Sequence, residues 1–255
     1  MDLQLRDKTV LVTGAGRGLG RAIGLAYAAE GADVAFHYNS SAKGAEEAAK
    51  EAAELGVRAI AVGADLGDGA AVRAAVDAVK AELGPIDILV NNSAVTQSKP
   101  FLDTTEEDWA PQIEITVAGT LRVCQAVAQQ MVDNKVEGSI VNLMGDSGRV
   151  GESRLLVTAT TRSTTLGLTK SLAKELARYK IRANGVSIAL VQTGSLDEHT
   201  GHADDEKKKR ILSAYPLRRF GRPEDVTPAI LLLSSPQSSW TTGQVLSVNG
   251  GYAMP

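Results

Sequence analysis

Thr9-Val10-Leu11-Val12-Thr13-Gly14-Ala15-Gly16-Arg17-Gly18-Leu19-Gly20 is the stretch that decides how this chain folds. A short β-branched and apolar run reads as a strand, the glycines after it as a tight turn, and the Ala- and Leu-rich residues Arg21–Glu30 as a helix. In a strand–turn–helix of this kind, glycine lets backbone N–H groups close on a pyrophosphate at the helix N-terminus. The spacing is T-G-x-x-x-G-x-G rather than G-x-G-x-x-G. Glycines kept only for helix–strand packing would give the same pattern, so the turn alone does not fix a ligand.

Working outward, short β-branched runs alternate with longer helical ones. The strands are expected at Thr9–Val12, Val34–Phe36, Ala59–Val62, Ile86–Val90, Ile140–Leu143, Arg182–Ser187 and Val245–Val248. The helices between them are Arg21–Glu30, Lys43–Leu55, Ala70–Leu83, Thr105–Asn134, Ser153–Tyr179 and Pro223–Ser234. Several end at glycine, as helices commonly do: Gly31, Gly56 and Gly84. Repeated βαβ units with near-continuous apolar strands predict an α/β fold. The expected architecture is one Rossmann-type domain over residues 1–255, with a doubly wound, parallel, seven-stranded sheet between two helical layers.

The bulk properties bound the function. At 255 residues the chain suits one large α/β core, and a net charge of −3 gives no case for nucleic acid or an acidic membrane surface. No apolar run approaches the roughly 20 residues that span a bilayer. A lone Cys124 excludes an internal disulfide framework, and the charged N-terminus lacks a signal peptide's apolar centre. The expected location is therefore the cytoplasm, and no metal site is expected.

The segment Ser195–Pro216 is polar, with Asp204-Asp205-Glu206 ahead of Lys207-Lys208-Lys209-Arg210. Acidic residues before basic ones suit a solvated helix and its dipole. Its place after a strand's C-terminal end also suits a lid over a ligand site, in which His199 and His202 would simply be exposed. At the end of the second strand, where a carboxylate would hold the ribose of NAD, the chain reads His37-Tyr38-Asn39-Ser40-Ser41. With Arg17 in the turn and these serines opposite, any cofactor leans toward NADP.

The glycine turn, the strand order and the downstream motifs together resemble the short-chain dehydrogenase/reductase family, from Lys8 to Tyr252. Thr13, Gly14, Gly18 and Gly20 match its cofactor turn, and Asp65 sits where the family contacts adenine. Asn91-Asn92-Ser93-Ala94 stands for its N-N-A-G, while Arg182, Asn184 and Thr193 match its sixth strand and following loop. Pro216–Val226 and Val248-Asn249-Gly250-Gly251-Tyr252 match its C-terminal signatures.

The resemblance implies catalysis by an Asn, a Ser, a Tyr and a Lys, and here the matching positions hold Thr116, Gly145, Thr158 and Arg162. A threonine hydroxyl cannot be tuned to neutrality as a phenol near pKa ~10 can, and an arginine is permanently protonated. Ile188-Ala189 replaces the family's Pro-Gly, so a Cβ at position 189 would crowd a nicotinamide ring. The expectations are therefore no catalytic residues, and no NAD(P) or only weak NAD(P) held by Gly14, Arg17, Gly18, Gly20, Asp65, Asn91 and Thr193.

Because the family's helical interfaces over Thr105–Asn134 and Ser153–Tyr179 are present, the leading expectation is a non-catalytic subunit. It would stabilise a homologous active dehydrogenase subunit in a heterotetramer, the partner carrying NAD and oxidising a hydroxyl compound, a β-hydroxyacyl-CoA of aromatic catabolism being the candidate. Two alternatives stand beside it. One is an active oxidoreductase with a non-standard site drawing on Asp146, Ser147 or Tyr215; the other is a dinucleotide-binding sensor.

Overall fold

The computed structural model describes residues 2–193 and 205–254. Seven strands form one parallel sheet: β1 Thr9–Val12, β2 Asp33–Tyr38, β3 Ala59–Gly63, β4 Ile88–Asn91, β5 Ser139–Gly145, β6 Arg182–Ile188 and β7 Val245–Val248. Their order is β3-β2-β1-β4-β5-β6-β7. The chain reverses direction across the sheet between β1 and β4, so the loops after those strands diverge and open a crevice at their carboxyl ends.

Along β1 the side chains alternate between two cores. Val10 and Val12 pack with Ile23, Tyr27, Phe36 and Ile230 on one face. Leu11 packs with Leu89, Val127, Met131 and Ile140 on the other. Helices α1 Gly18–Ala29, α2 Ala42–Glu54 and α9 Pro223–Ser234 cover the first face; α3 Gly69–Leu83, α5 Thr120–Asp133 and α7 Leu156–Leu176 cover the second. Burial on both sides is why the strands read as unbroken apolar runs.

Two expected helices are subdivided. Thr105–Asn134 is not one helix: α4 Glu106–Ile113, which contains Pro111, gives way to a π-helical turn at Glu114–Gly119 before α5. The wide turn places the buried Thr116 so that its Oγ1 accepts the Val95 N–H at 3.1 Å. It thereby ties the loop after β4 to this helix. Ser153–Tyr179 begins only at Leu156, after a four-residue α6 Ser147–Val150, and tightens to a 3-10 turn at Ala177–Tyr179. Of the expected lid at 195–216, residues 195–204 lie outside the described residues, His199 and His202 among them. The rest holds a helix, α8 Asp205–Ser213.

Arg182, at the start of β6, shows how the edge of the molecule is held. Its guanidinium donates to Leu233 O at 2.7 Å, Ser235 O at 3.0 Å, and Ser234 O and Thr241 O at 3.1 Å. One cation thus satisfies the end of α9 and the turn before β7, where the helix dipole also favours positive charge. Arg182→Leu is expected to lower stability by about 2–3 kcal/mol, because those carbonyls lose their donors. Thermal unfolding would show it as a Tm drop of roughly 4–12 °C.

Candidate active site

A cleft of about 640 Å³ opens at the carboxyl ends of the strands, floored by the glycine-rich turn on one side and Gly145 on the other. A groove of about 770 Å³ at the opposite end of the sheet is larger, but it is lined by Lys8, Asp87, Arg182 and Trp240. Parallel sheets bind ligands at their carboxyl ends, so the smaller cleft is the functional one.

At the turn, Gly14 has φ +64°, a conformation that L side chains rarely adopt, and Gly18 lies across from Thr193. Gly20 lies so close under Gly14 that a Cβ there would stand 2.3 Å from the Gly14 carbonyl oxygen. Arg17 is the N-cap of α1 in extended conformation, with no side chain capping the helix. The first N–H groups of α1 thus keep their hydrogen-bonding capacity for an anion. Arg17, Asn39, Ser40 and Ser41 line the same end of the cleft.

His37 borders this end of the cleft, and its ring nitrogens brace the turn from beneath. The Gly14 N–H donates to His37 Nδ1 at 3.2 Å, and Nε2 lies 3.1 Å from the Ala64 carbonyl. Only the neutral ring, protonated at Nε2, satisfies both contacts. Burial accordingly lowers the pKa from 6.5, against the pull of the Ala64 hydrogen bond. A depressed histidine pKa contributes stability that is present above the unfolded value and is lost as pH falls through the folded one. Glu152 runs the other way: burial raises its carboxyl pKa, so its contribution is present at low pH and lost as pH rises. The His37 contribution is isolated by His37→Asn, which should flatten the loss of thermal stability that the wild type shows as pH falls below 6.5.

Two expected cofactor contacts are not in the cleft. Asn91 is buried behind it, its Nδ2 donating to Asn142 Oδ1 at 2.8 Å and lying 3.1 Å from Cys124 Sγ. The next residues, Asn92 and Ser93, are the ones that line the cleft. Asp65 sits in the exposed turn after β3, where its Oδ1 accepts the Gly67 N–H at 2.8 Å, while Leu66 reaches the cleft.

The four positions of the family's catalytic set divide sharply. Thr116 and Thr158 are structural. Thr158 donates to Gln112 Oε1 at 2.6 Å and accepts the Gln97 N–H at 3.2 Å, clamping α4 and the loop after β4. Gly145 and Arg162 line the cleft. Arg162, on α7, donates from Nη2 to Thr96 Oγ1 at 3.2 Å, and burial lowers its pKa to about 10, which leaves it a cation at neutral pH. A Cβ on Gly145 would stand 3.6 Å from Ser147 Oγ and 3.9 Å from Arg162 Nε. The space that a side chain at 145 would fill is therefore flanked by a hydroxyl and a guanidinium.

Asp146 and Tyr215, offered by the sequence as substitutes, are committed elsewhere. The buried Asp146 carboxylate accepts from Ser187 Oγ and, at 2.6 Å, from Asn249 Nδ2. Tyr215 is buried, accepts the Leu190 N–H at 3.2 Å and stacks on Tyr252 with ring centroids 5.1 Å apart. Burial, then Glu152 beside it, pushes the Tyr252 pKa up to about 12. The sequence reading missed Thr96 and the Glu152–Tyr252 pair; Thr96 had a signal, since it closes the Asn92–Thr96 loop directly after β4.

This fold and cleft are those of a dinucleotide-binding oxidoreductase. A family model described as enoyl-(acyl carrier protein) reductase matches residues 14–253. The 3-oxoacyl-(acyl-carrier-protein) reductase of Staphylococcus aureus is 34% identical, over 97% of this chain and 98% of its own. A short-chain type dehydrogenase/reductase from Mycobacterium marinum has a crystal structure that superposes with TM-score 0.89 at 31% identity, covering 99% of this chain and 98% of that one. The gluconate 5-dehydrogenase of Burkholderia cenocepacia, crystallised with NADP and tartrate, superposes with TM-score 0.92 at 28% identity, covering 98% and 97%. The chain belongs to the short-chain dehydrogenase/reductase family.

These findings correct the expectation of a non-catalytic subunit. These proteins, which match the chain end to end, are named as reductases and dehydrogenases. The expectation of absent or weak cofactor binding finds no support in these relatives, one of which is crystallised with NADP. No helix among the described residues is long and apolar enough to cross a membrane.

Proposed function

We propose that the chain is an NAD(P)-dependent oxidoreductase that interconverts a carbonyl and a hydroxyl compound at a non-standard site. The observation that carries this reading is the space over Gly145, with Ser147 Oγ and Arg162 Nε on its borders. A dinucleotide would lie along Gly14, Gly18 and the N-terminus of α1, with Arg17 and Ser40 at its adenosine end and Thr193 further along. Bound there, it would supply or take up the hydride.

The chain's own groups manage the oxygen. As a carbonyl is reduced, negative charge grows on its oxygen, and the Arg162 guanidinium stabilises that charge in a site of low dielectric. Ser147 donates a hydrogen bond and fixes the orientation. Neither side chain is a tuned acid at neutral pH, so the proton that completes the alcohol comes from water entering the cleft. Losing a tuned acid costs ~10²–10⁴-fold, which makes this a slow member of its family. NADP is favoured over NAD because residues 37–41 hold no carboxylate and Arg17 faces them.

Fluorescence titration with NADPH and NADH, followed by cofactor oxidation with a panel of ketones and oxo acids, tests the reading. Arg17→Ala is expected to weaken NADPH about 10-fold and leave NADH unchanged, as loss of one charge-assisted contact would. Failure of both nucleotides to bind would sink the proposal.

A further inference from the structure

Among the described residues no carboxylate pairs with Arg162, although it lines the cleft beside Gly145. Arg21, Arg58, Arg122 and Arg219 pair with Glu51, Asp33, Glu114 and Asp225. Arg182 is spent on four carbonyls. Arg162 is half-buried in the wall of the cleft, its hydrogen-bond partner among the described residues is the neutral Thr96 hydroxyl, and no carboxylate pairs with it. A cation partly withdrawn from water without a counter-charge is costly to the fold. Such a group makes physical sense where a ligand completes it.

We propose that Arg162 is the seat of a substrate carboxylate, and that the substrates of this cleft are small 2-oxo acids and the matching 2-hydroxy acids. This rests on the oxidoreductase reading and narrows it. A guanidinium carries five N–H donors in a planar fork, of which Thr96 takes one. The remaining donors match a carboxylate two at a time. In a 2-oxo acid the reacting carbonyl is bonded directly to that carboxylate. With the acid group on the guanidinium, the carbonyl oxygen then falls over Gly145, 3.6 Å being the separation of Ser147 Oγ from the missing Cβ. Gly145 is the opening that admits the ligand: a side chain there would fill the space between hydroxyl and guanidinium.

The anion is not the pyrophosphate of the dinucleotide. That group belongs to the N-terminus of α1 after β1, whereas Gly145 ends β5, two strands away across β4, or about 10 Å. A phosphoryl dianion on the substrate is also disfavoured. Among the described residues, Arg17 and Arg162 are the cationic side chains lining the cleft, and Arg17 stands at its other end.

The test is calorimetric titration with oxamate, a 2-oxo-acid isostere that is not reduced, so binding is read without turnover. Wild type should bind oxamate and not the neutral oxamide. Arg162→Met should weaken oxamate about 10- to 100-fold, and Arg162→Lys, which keeps the charge without the fork, by less. NADP⁺ affinity should move by less than about 3-fold in either variant. Oxamate binding to Arg162→Met as well as to wild type would overturn the proposal, as would equal binding of oxamide or a preference for inorganic phosphate. A fall in NADP⁺ affinity with oxamate binding intact would place Arg162 on the cofactor and overturn it too. Arg162-dependent oxamate binding in a chain that turns nothing over would leave the carboxylate seat standing and the oxidoreductase reading refuted.

Discussion

Arg162→Met is expected to cut kcat about 10²–10³-fold, the usual cost of removing one preorganised donor from a developing oxyanion. The same variant should unfold at an equal or higher temperature than wild type. Methionine fills a similar volume without charge, and exchanging an unpaired, half-buried cation for an apolar side chain of similar size is often neutral or stabilising. Each 1 kcal/mol gained would raise Tm by roughly 2–4 °C for a domain of this size. The opposed signs are the point of the experiment. A residue kept for the fold would lose activity and stability together, whereas a residue kept for a ligand trades one for the other. Activity followed by cofactor absorbance and stability followed by circular dichroism on one preparation read both.

Gly20→Val carries the second large effect. A Cβ at this position would stand 2.3 Å from the Gly14 carbonyl oxygen and 2.5 Å from Asn92 Nδ2. Asn92 Nδ2 already donates to Thr13 O at 3.0 Å and Gly14 O at 3.2 Å, so the collision strikes the joint between β1 and the loop after β4. The variant is expected to lose about 1–3 kcal/mol of stability, as overpacked sites do. Dinucleotide binding should fall below detection, because the turn can no longer present its N–H groups together. Gly167→Ala, within α7, is the control: a Cβ there meets nothing within 4 Å, and helix propensity predicts a gain of about 0.5–1 kcal/mol. Urea unfolding curves and NADPH titrations separate the two glycines.

The sheet was legible in the sequence because its signal is local. Strand β1, its glycine turn and α1 announce themselves within a few residues, and all seven expected strands overlap observed ones. What the sequence hid are contacts between distant segments. His37 reads as the lack of a carboxylate, but its ring holds Gly14, 23 residues earlier. Thr158 and Gln112 are 46 residues apart, and nothing near either announces that the hydroxyl is consumed in a clamp. The π turn at Glu114–Gly119 escaped because its residues suit an ordinary helix; within it Thr116 accepts the Val95 N–H, a contact across 21 residues.

The candidate site was legible only in part, for the same reason. By motif alone, Gly145 and Arg162 stand as departures from the family, and a departure taken by itself implies loss. Only the folded chain brings Ser147 Oγ and Arg162 Nε to either side of the space over Gly145. It also withdraws Asp146 and Tyr215 from consideration, since their partners Ser187, Asn249 and Leu190 come from β6, the loop after it and the chain's C-terminal end.

The most direct test of the central claim follows the hydride itself. NADPH carrying deuterium at C4 is mixed with excess purified chain and a 2-oxo acid, and the organic acid is recovered and weighed by mass spectrometry. The account predicts a 2-hydroxy acid with deuterium on its carbinol carbon, formed by wild type and strongly reduced with Arg162→Met. Unchanged oxo acid, with NADPH bound and intact, would contradict it.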